Sequence, residues 1–165
     1  MPPMTSPPRA LTPGEWRLAR DLRVAAMTDS PSAFGSTLER ELSLTEGEWH
    51  SRLGGGGWFA AFADGTDQAV GLACCVTEAD ARVRQLTGLW VAPASRGNGV
   101  ADALVTAVLD HARAGGASVV ELWVVQSNAR AIAVYERHGF RTTGTRRPLP
   151  RNHDVQEIQL RAPLG

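Results

Sequence analysis

Apolar residues recur along this chain with two periods. From Gly14 to Asp29, residues Trp16, Ala19, Leu22 and Ala26 fall three and four apart, the spacing of one helix face, and Ser30-Pro31 stops the run. A second helical stretch covers roughly Thr37 to Leu53, where Thr45 followed by Glu48 reads as a capping box that can divide it into two short helices. Gly54 to Gly57 then reads as a flexible turn, because it leads into a strand and not into a helix. Short apolar runs predict strands over Trp58 to Ala63, Ala69 to Val76 and Val83 to Val91, with turns at Asp64-Gly65 and near Ala79-Asp80, as an antiparallel meander. A helix over Gly99 to Ala114 places Val100, Leu104, Val108 and His111 on one stripe, with Asp102 near its start, Arg113 near its end and Gly115 beyond. Val119 to Val125 is a buried strand reached from Val91 through that helix, which implies a parallel, right-handed crossover. Phe140 to Thr145 and Val155 to Arg161 are the last strands, joined by a loop from Arg146 to Asp154.

Composition narrows the class without changing that order. The 165 residues suit one core, taken as one domain over 14–165 behind a loose, Pro-rich tail over 1–13. Apolar residues at 43% and charged residues at 21% are ordinary for a globular protein. A formal charge of zero with no basic stripe argues against nucleic acid as the main partner. No apolar run approaches ~18 residues and no signal core opens the chain, so neither membrane nor export is expected, and the cytoplasm is the expected compartment. All seventeen basic side chains are arginine, which excludes Schiff-base catalysis and a lysine general base. Cys74 and Cys75 are adjacent and lack metal-site spacing, His50, His111, His138 and His153 form no HxxxH pair, and no metal is expected. The two cysteines read as small core residues on a strand.

The segment Val91-Ala92-Pro93-Ala94-Ser95-Arg96-Gly97-Asn98-Gly99-Val100-Ala101-Asp102 carries the chemistry, because a strand runs into a glycine turn and out into a helix. A helix N-terminus leaves amides unpaired and carries partial positive charge, so it can cradle a pyrophosphate. Gly97 and Gly99 allow positive φ and close approach, and Arg96 adds a charged fork. A Walker loop would need a lysine, and a dinucleotide fingerprint would need a third glycine where Asp102 stands. Arg96 to Ala101 instead resembles the Arg/Gln-x-x-Gly-x-Gly/Ala acyl-CoA loop of the GNAT superfamily of N-acetyltransferases. Asn128-Ala129-Arg130-Ala131-Ile132-Ala133-Val134-Tyr135-Glu136-Arg137-His138-Gly139-Phe140 resembles the same family's Asn-x-x-Ala-x-x-x-Tyr-x-x-x-Gly-Phe helix, and Leu89-Trp90-Val91 its aliphatic strand.

The resemblance implies an α/β fold with a mixed, mostly antiparallel sheet of six to seven strands flanked by helices. Two parallel strands would splay apart after Val91 and near Val125, with acetyl-CoA as cosubstrate in the splay. Leu89, Trp90 and Val91 would line the pantetheine arm, with the backbone of Leu89 and Val91 pairing with it. Arg96, Gly97, Asn98, Gly99, Val100 and Ala101 would hold the pyrophosphate, Asn128 the pantetheine, and Tyr135 would sit by the sulfur as general acid. The implied function is transfer of acetyl to a primary amine of a small molecule or peptide by direct attack, with a homodimer as a frequent family state. The alternative is a non-catalytic acyl-CoA-binding sensor or accessory subunit. Deprotonating an alkylammonium costs ~4 kcal/mol at neutral pH and a peptide α-amine only ~1, so a base matters more for the first. Glu39, Glu78, Glu121, His153 and Asp154 are all open as that base, each also reading as a surface group, and ordered water is a further route. Asp102 sits uneasily beside a pyrophosphate. Arg146, Arg147, Arg151 and His153 cluster before the final strand and would favour an acceptor that bears an acidic or neutral polar group.

Overall fold

In a computed structural model, which describes residues 6–165, helices cover both faces of one seven-stranded sheet. The elements are β1 (Arg9–Ala10), α1 (Trp16–Asp29), α2 (Leu38–Ser43), α3 (Glu46–Gly54), β2 (Trp58–Phe62), β3 (Ala69–Thr77), β4 (Val83–Val91), α4 (Val100–Ala114), β5 (Val119–Val125), α5 (Ala129–Arg137), β6 (Arg141–Leu149) and β7 (Asn152–Pro163). The sheet order is β1-β2-β3-β4-β5-β7-β6, and β4 with β5 is its one parallel pair. The α/β, mostly antiparallel architecture is the one expected.

Alternation along the strands builds two cores. On one face Val100, Leu104, Val105 and Val108 of α4 pack with Tyr135 against Phe59, Val70, Leu86, Val120 and Leu122. On the other, Trp16, Ala19, Leu22 and Ala26 of α1 pack with Trp49 and Leu53 of α3 against Trp58, Leu72, Cys74 and Trp90. Cys74 and Cys75 therefore face opposite cores, and burial pushes the Cys74 thiol up to about 12. The second helical stretch does divide: the Glu48 amide donates to Thr45 Oγ1 at 3.2 Å and the Thr45 amide to Glu48 Oε2 at 2.7 Å. His111 is exposed, and Ala112 completes the buried stripe of α4 in its place.

Three boundaries differ from expectation. Arg9–Ala10 pair with β2 and Leu11 is buried, so the stretch expected as a loose tail is fixed from Arg9 onward; residues 1–5 lie outside the described residues. The expected loop from Arg146 to Asp154 is instead the end of a long hairpin, with only Pro150 and Arg151 between the strands. Strand β6 begins within the strand expected over Phe140 to Thr145 but is an exposed edge with no apolar alternation, and Gly144 at φ +86° lies in an irregularity between Thr142 and Arg146, so periodicity gave no signal for its continuation to Leu149. The splay also begins early: β4 and β5 pair only from Val83 to Gln85 and from Val119 to Glu121, not as far as Val91 and Val125.

A bulge accompanies that early parting. Leu72 of β3 faces Trp90 while Cys74 faces Thr87, so Gly88 and Leu89 together oppose Ala73. Gly88 takes φ +65°, which only glycine adopts cheaply. The extra residue bends β4 away from β5, and past Gln85 and Glu121 the facing strand edges carry backbone groups with no ladder partner across the gap.

Candidate active site

The helix that follows the parting strand starts without a lid. Gly99 caps α4 at φ +81°, no side chain bonds its first amides, and the first intrahelical bond there runs from Ala103 to Gly99. Elsewhere Thr37, Thr45 and Asn128 cap α2, α3 and α5 with their own oxygens. Among the described residues the α4 amides thus have no side-chain partner, the condition in which a helix start can take an anion. A Cβ on Gly97 or Gly99 would meet nothing within 4 Å, so both glycines are required by their positive φ, and open space lies over them.

A cavity of about 490 Å³ stands in front of these amides, bounded by Leu89 to Val91, by the loop from Ser95, and by the inner turns of α5. Leu89, Trp90, Val91, Arg96, Gly97, Gly99, Val100, Ala101 and Asn128 line it; Asn98 and Tyr135 do not. Asn128 already caps α5, its Oδ1 accepting from the Ala131 amide at 3.2 Å. Tyr135 lies between α5 and the sheet, edge-on to Phe140 at 5.7 Å, and burial pushes its phenol well above the ordinary value. Among the described residues its hydroxyl makes no hydrogen bond, and it is not one of the sealed unpaired polar atoms, which are Ser36 Oγ and Trp49 Nε1.

Charges around the cavity are prearranged. Arg96 folds back: its Nε donates to the Val91 carbonyl at 3.0 Å and its Nη2 meets Asp29 Oδ2 at 2.5 Å. Asp29 also accepts from the Trp90 indole at 3.0 Å and from Ser30 at 2.8 Å, and these bonds, the indole's first, hold its carboxyl down to about 2. Arg96 thus ties the glycine loop to the end of α1, and the Val91 carbonyl already has a protein partner. Asp102 is drawn to the C-terminus of α5 by Arg137, at 3.2 and 2.9 Å, and by His138 at 2.9 Å. Arg137 above all holds its carboxyl below the usual range. This pairing neutralises the carboxylate that sat uneasily beside an anion site.

A second cavity, of about 530 Å³, adjoins on the other side of the bulge, bounded by Leu86 to Gly88 and by Trp123, Arg147 and Glu157. Ala33 and Phe34 border both cavities. Glu157, nearly buried on β7, accepts from Arg147 Nε at 3.2 Å, and the Arg147 guanidinium lies 4.1 Å from the centre of the Trp123 ring. Of the residues expected as bases, Glu121 is taken by Gln159 at 2.5 Å and Arg161 at 3.2 Å, Glu39, His153 and Asp154 are exposed, and Glu78 borders the second cavity. Glu157 was not among the residues singled out from the sequence. The arginine cluster divides: Arg147 turns into the cavity, Arg151 donates to the Pro31 carbonyl, and Arg146 and His153 stay exposed.

A parallel pair that parts beside an uncapped, glycine-led helix puts an open strand edge next to a place where an anion can bind. The sequence profile of the acetyltransferase (GNAT) family matches residues 20–140, and the chain belongs to that family. A mycothiol acetyltransferase of Streptomyces avermitilis is 32% identical over 139 residues, which cover 83% of this chain and 43% of that protein. Another, of Beutenbergia cavernae, is 34% identical over 124 residues, 72% and 39% of the two chains. The chain thus spans about two fifths of the length of these relatives. Among solved structures, yncA of Salmonella typhimurium with its cofactor acetyl-CoA superposes with a TM-score of 0.74 over 98% of this chain and 95% of that one, at 16% identity, a likeness of fold.

Proposed function

We propose that the protein is an N-acetyltransferase that transfers acetyl from acetyl-CoA directly to a primary amine of a small molecule or peptide, with both bound at once. The observation that carries this reading is that two cavities adjoin at the Gly88-Leu89 bulge, one facing free helix amides and the other a carboxylate. The first suits acetyl-CoA: uncapped amides of α4 meet a pyrophosphate, and the open edge of β4 at Leu89 can pair with an extended amide chain. When bound, acetyl-CoA supplies a thioester carbonyl that a neutral amine can attack.

The chain's part is binding, orientation and proton placement. No cysteine or lysine borders either cavity, and no histidine stands beside the serines and threonine that do, which supports direct transfer over an acyl-enzyme. Tyr135, with its free hydroxyl just behind the cavity lining, is assigned as hydrogen-bond donor or acid to the departing sulfur, since a phenol is protonated at neutral pH. Thiol release from acetyl-CoA against a broad panel of amines tests the reading. Amine-dependent release is expected; tight binding of CoA without release by any amine would leave a binding protein of the same fold.

A further inference from the structure

The second cavity carries charge of both signs in one fixed unit, and neither partner is fully used. Arg147 and Glu157 are direct cross-strand neighbours on β6 and β7, joined by a single hydrogen bond from Nε to Oε1 at 3.2 Å. Among the described residues, both Nη atoms of Arg147 and Glu157 Oε2 have no partner, and Oε2 is not one of the sealed polar atoms. The guanidinium also stacks on the Trp123 ring, which favours its placement at the cavity. Ser36 Oγ, also at this cavity, is buried and without a partner.

Resting on the reading of this cavity as the acceptor's, we infer that the acceptor is a free α-amino acid, its ammonium on Glu157 and its carboxylate on Arg147. A cation alone on the free Oε2 would be repelled by the adjacent Arg147, and an anion alone on the free Nη edge by the adjacent Glu157. In either case the lone charge also meets the like charge of the pair, and Glu157 is nearly buried, with little water to offset that, while Arg147 is partly exposed. A ligand with ammonium and carboxylate on one carbon adds to the pair without breaking it, each charge then touching two opposite ones. The free Nη edge and free Oε2 belong to directly bonded groups, so one small ligand can reach both. Phe34, Val76, Leu86 and Pro150 offer an apolar wall for the side chain. A peptide amino terminus replaces the carboxylate by a neutral carbonyl, and a polyamine brings only charge that Arg147 repels.

Thiol-release rates with the twenty L-amino acids, their carboxamides and the matching decarboxylated amines test this, beside calorimetric titration with CoA. The best amino acid should exceed its own amide in kcat/KM by about 10- to 100-fold, the worth of one charge-assisted bond. Arg147→Gln should bring that ratio close to one with CoA affinity unchanged, while Arg147→Lys keeps part of it. Amides, peptides or polyamines turning over as well as the acids would overturn the inference and leave the acetyltransferase reading standing. Should CoA bind and no compound turn over, titration of the CoA-loaded protein decides: saturable binding of amino acids but not amides supports the inference, and indifferent or absent binding overturns it. Failure to bind CoA at all would overturn both readings.

Discussion

Two glycine turns in this chain look alike on paper and do opposite work. Gly57, at φ +86°, lies so close to β3 that a Cβ would stand 2.3 Å from the Cys75 carbonyl oxygen, and its own carbonyl accepts from the Cys75 amide at 2.7 Å. The chain itself fills the space that glycine leaves. Gly97 and Gly99, at φ +83° and +81°, have nothing within reach of a Cβ, and the amides beside them are uncapped. There the space is open, as the proposed CoA site requires. A glycine's conformation says that a side chain is unwelcome; only what surrounds it says whether fold or function objects.

The sharpest way to break the comparison is Gly57→Ala. Positive φ and a backbone clash together should cost about 3 kcal/mol or more, read as a large fall in the urea midpoint, with CoA binding lost only through unfolding. Gly99→Val should leave a folded protein weakened by about 1–2 kcal/mol, yet weaken CoA by about 100-fold in calorimetry, since two or more charge-assisted bonds go with the cradle. Tyr135→Phe should keep CoA affinity and lower kcat by up to about 100-fold where chemistry limits turnover, separating cradle from chemistry. Asn128→Ala removes a cap and should cost about 1 kcal/mol of stability, a loss that α4, which has no such cap, cannot show.

The smallest effect concerns Asp29, which anchors the loop through Arg96. Its carboxyl lies at about 2 against an ordinary 3.8, so its bonds stabilise the fold at neutral pH and are lost only as pH falls from the ordinary value toward 2. The Trp90 indole N–H resonance should shift in that window and not above it. In Asp29→Asn the acid shift should vanish.

What was legible in the sequence follows from how local each signal is. The glycine loop, the Asn128 to Phe140 helix and the bounds Val83–Val91 and Val119–Val125 are written in contiguous residues, and all are where expected. The early parting was hidden, because a bulge at Gly88-Leu89 depends on register with β3 and leaves the apolar pattern nearly intact. Both strands of the β6-β7 hairpin were expected, but their continuation through 146–154 was missed because an exposed edge strand needs no alternation; Pro150-Arg151-Asn152 was the available turn signal. With it, Arg147 and Glu157 would have been paired across the hairpin and the second cavity suspected. The Asp29 to Arg96 tie joins residues 67 apart and has no local trace.

The most direct test observes the two glycine turns together while CoA is added, by amide resonances of the labelled protein. The account expects the amides of Gly97, Gly99, Val100 and Ala101 to shift saturably with one stoichiometry, while those of Gly55, Gly56 and Gly57 stay still. Shifts confined to other residues, or equal movement at both turns, would contradict it.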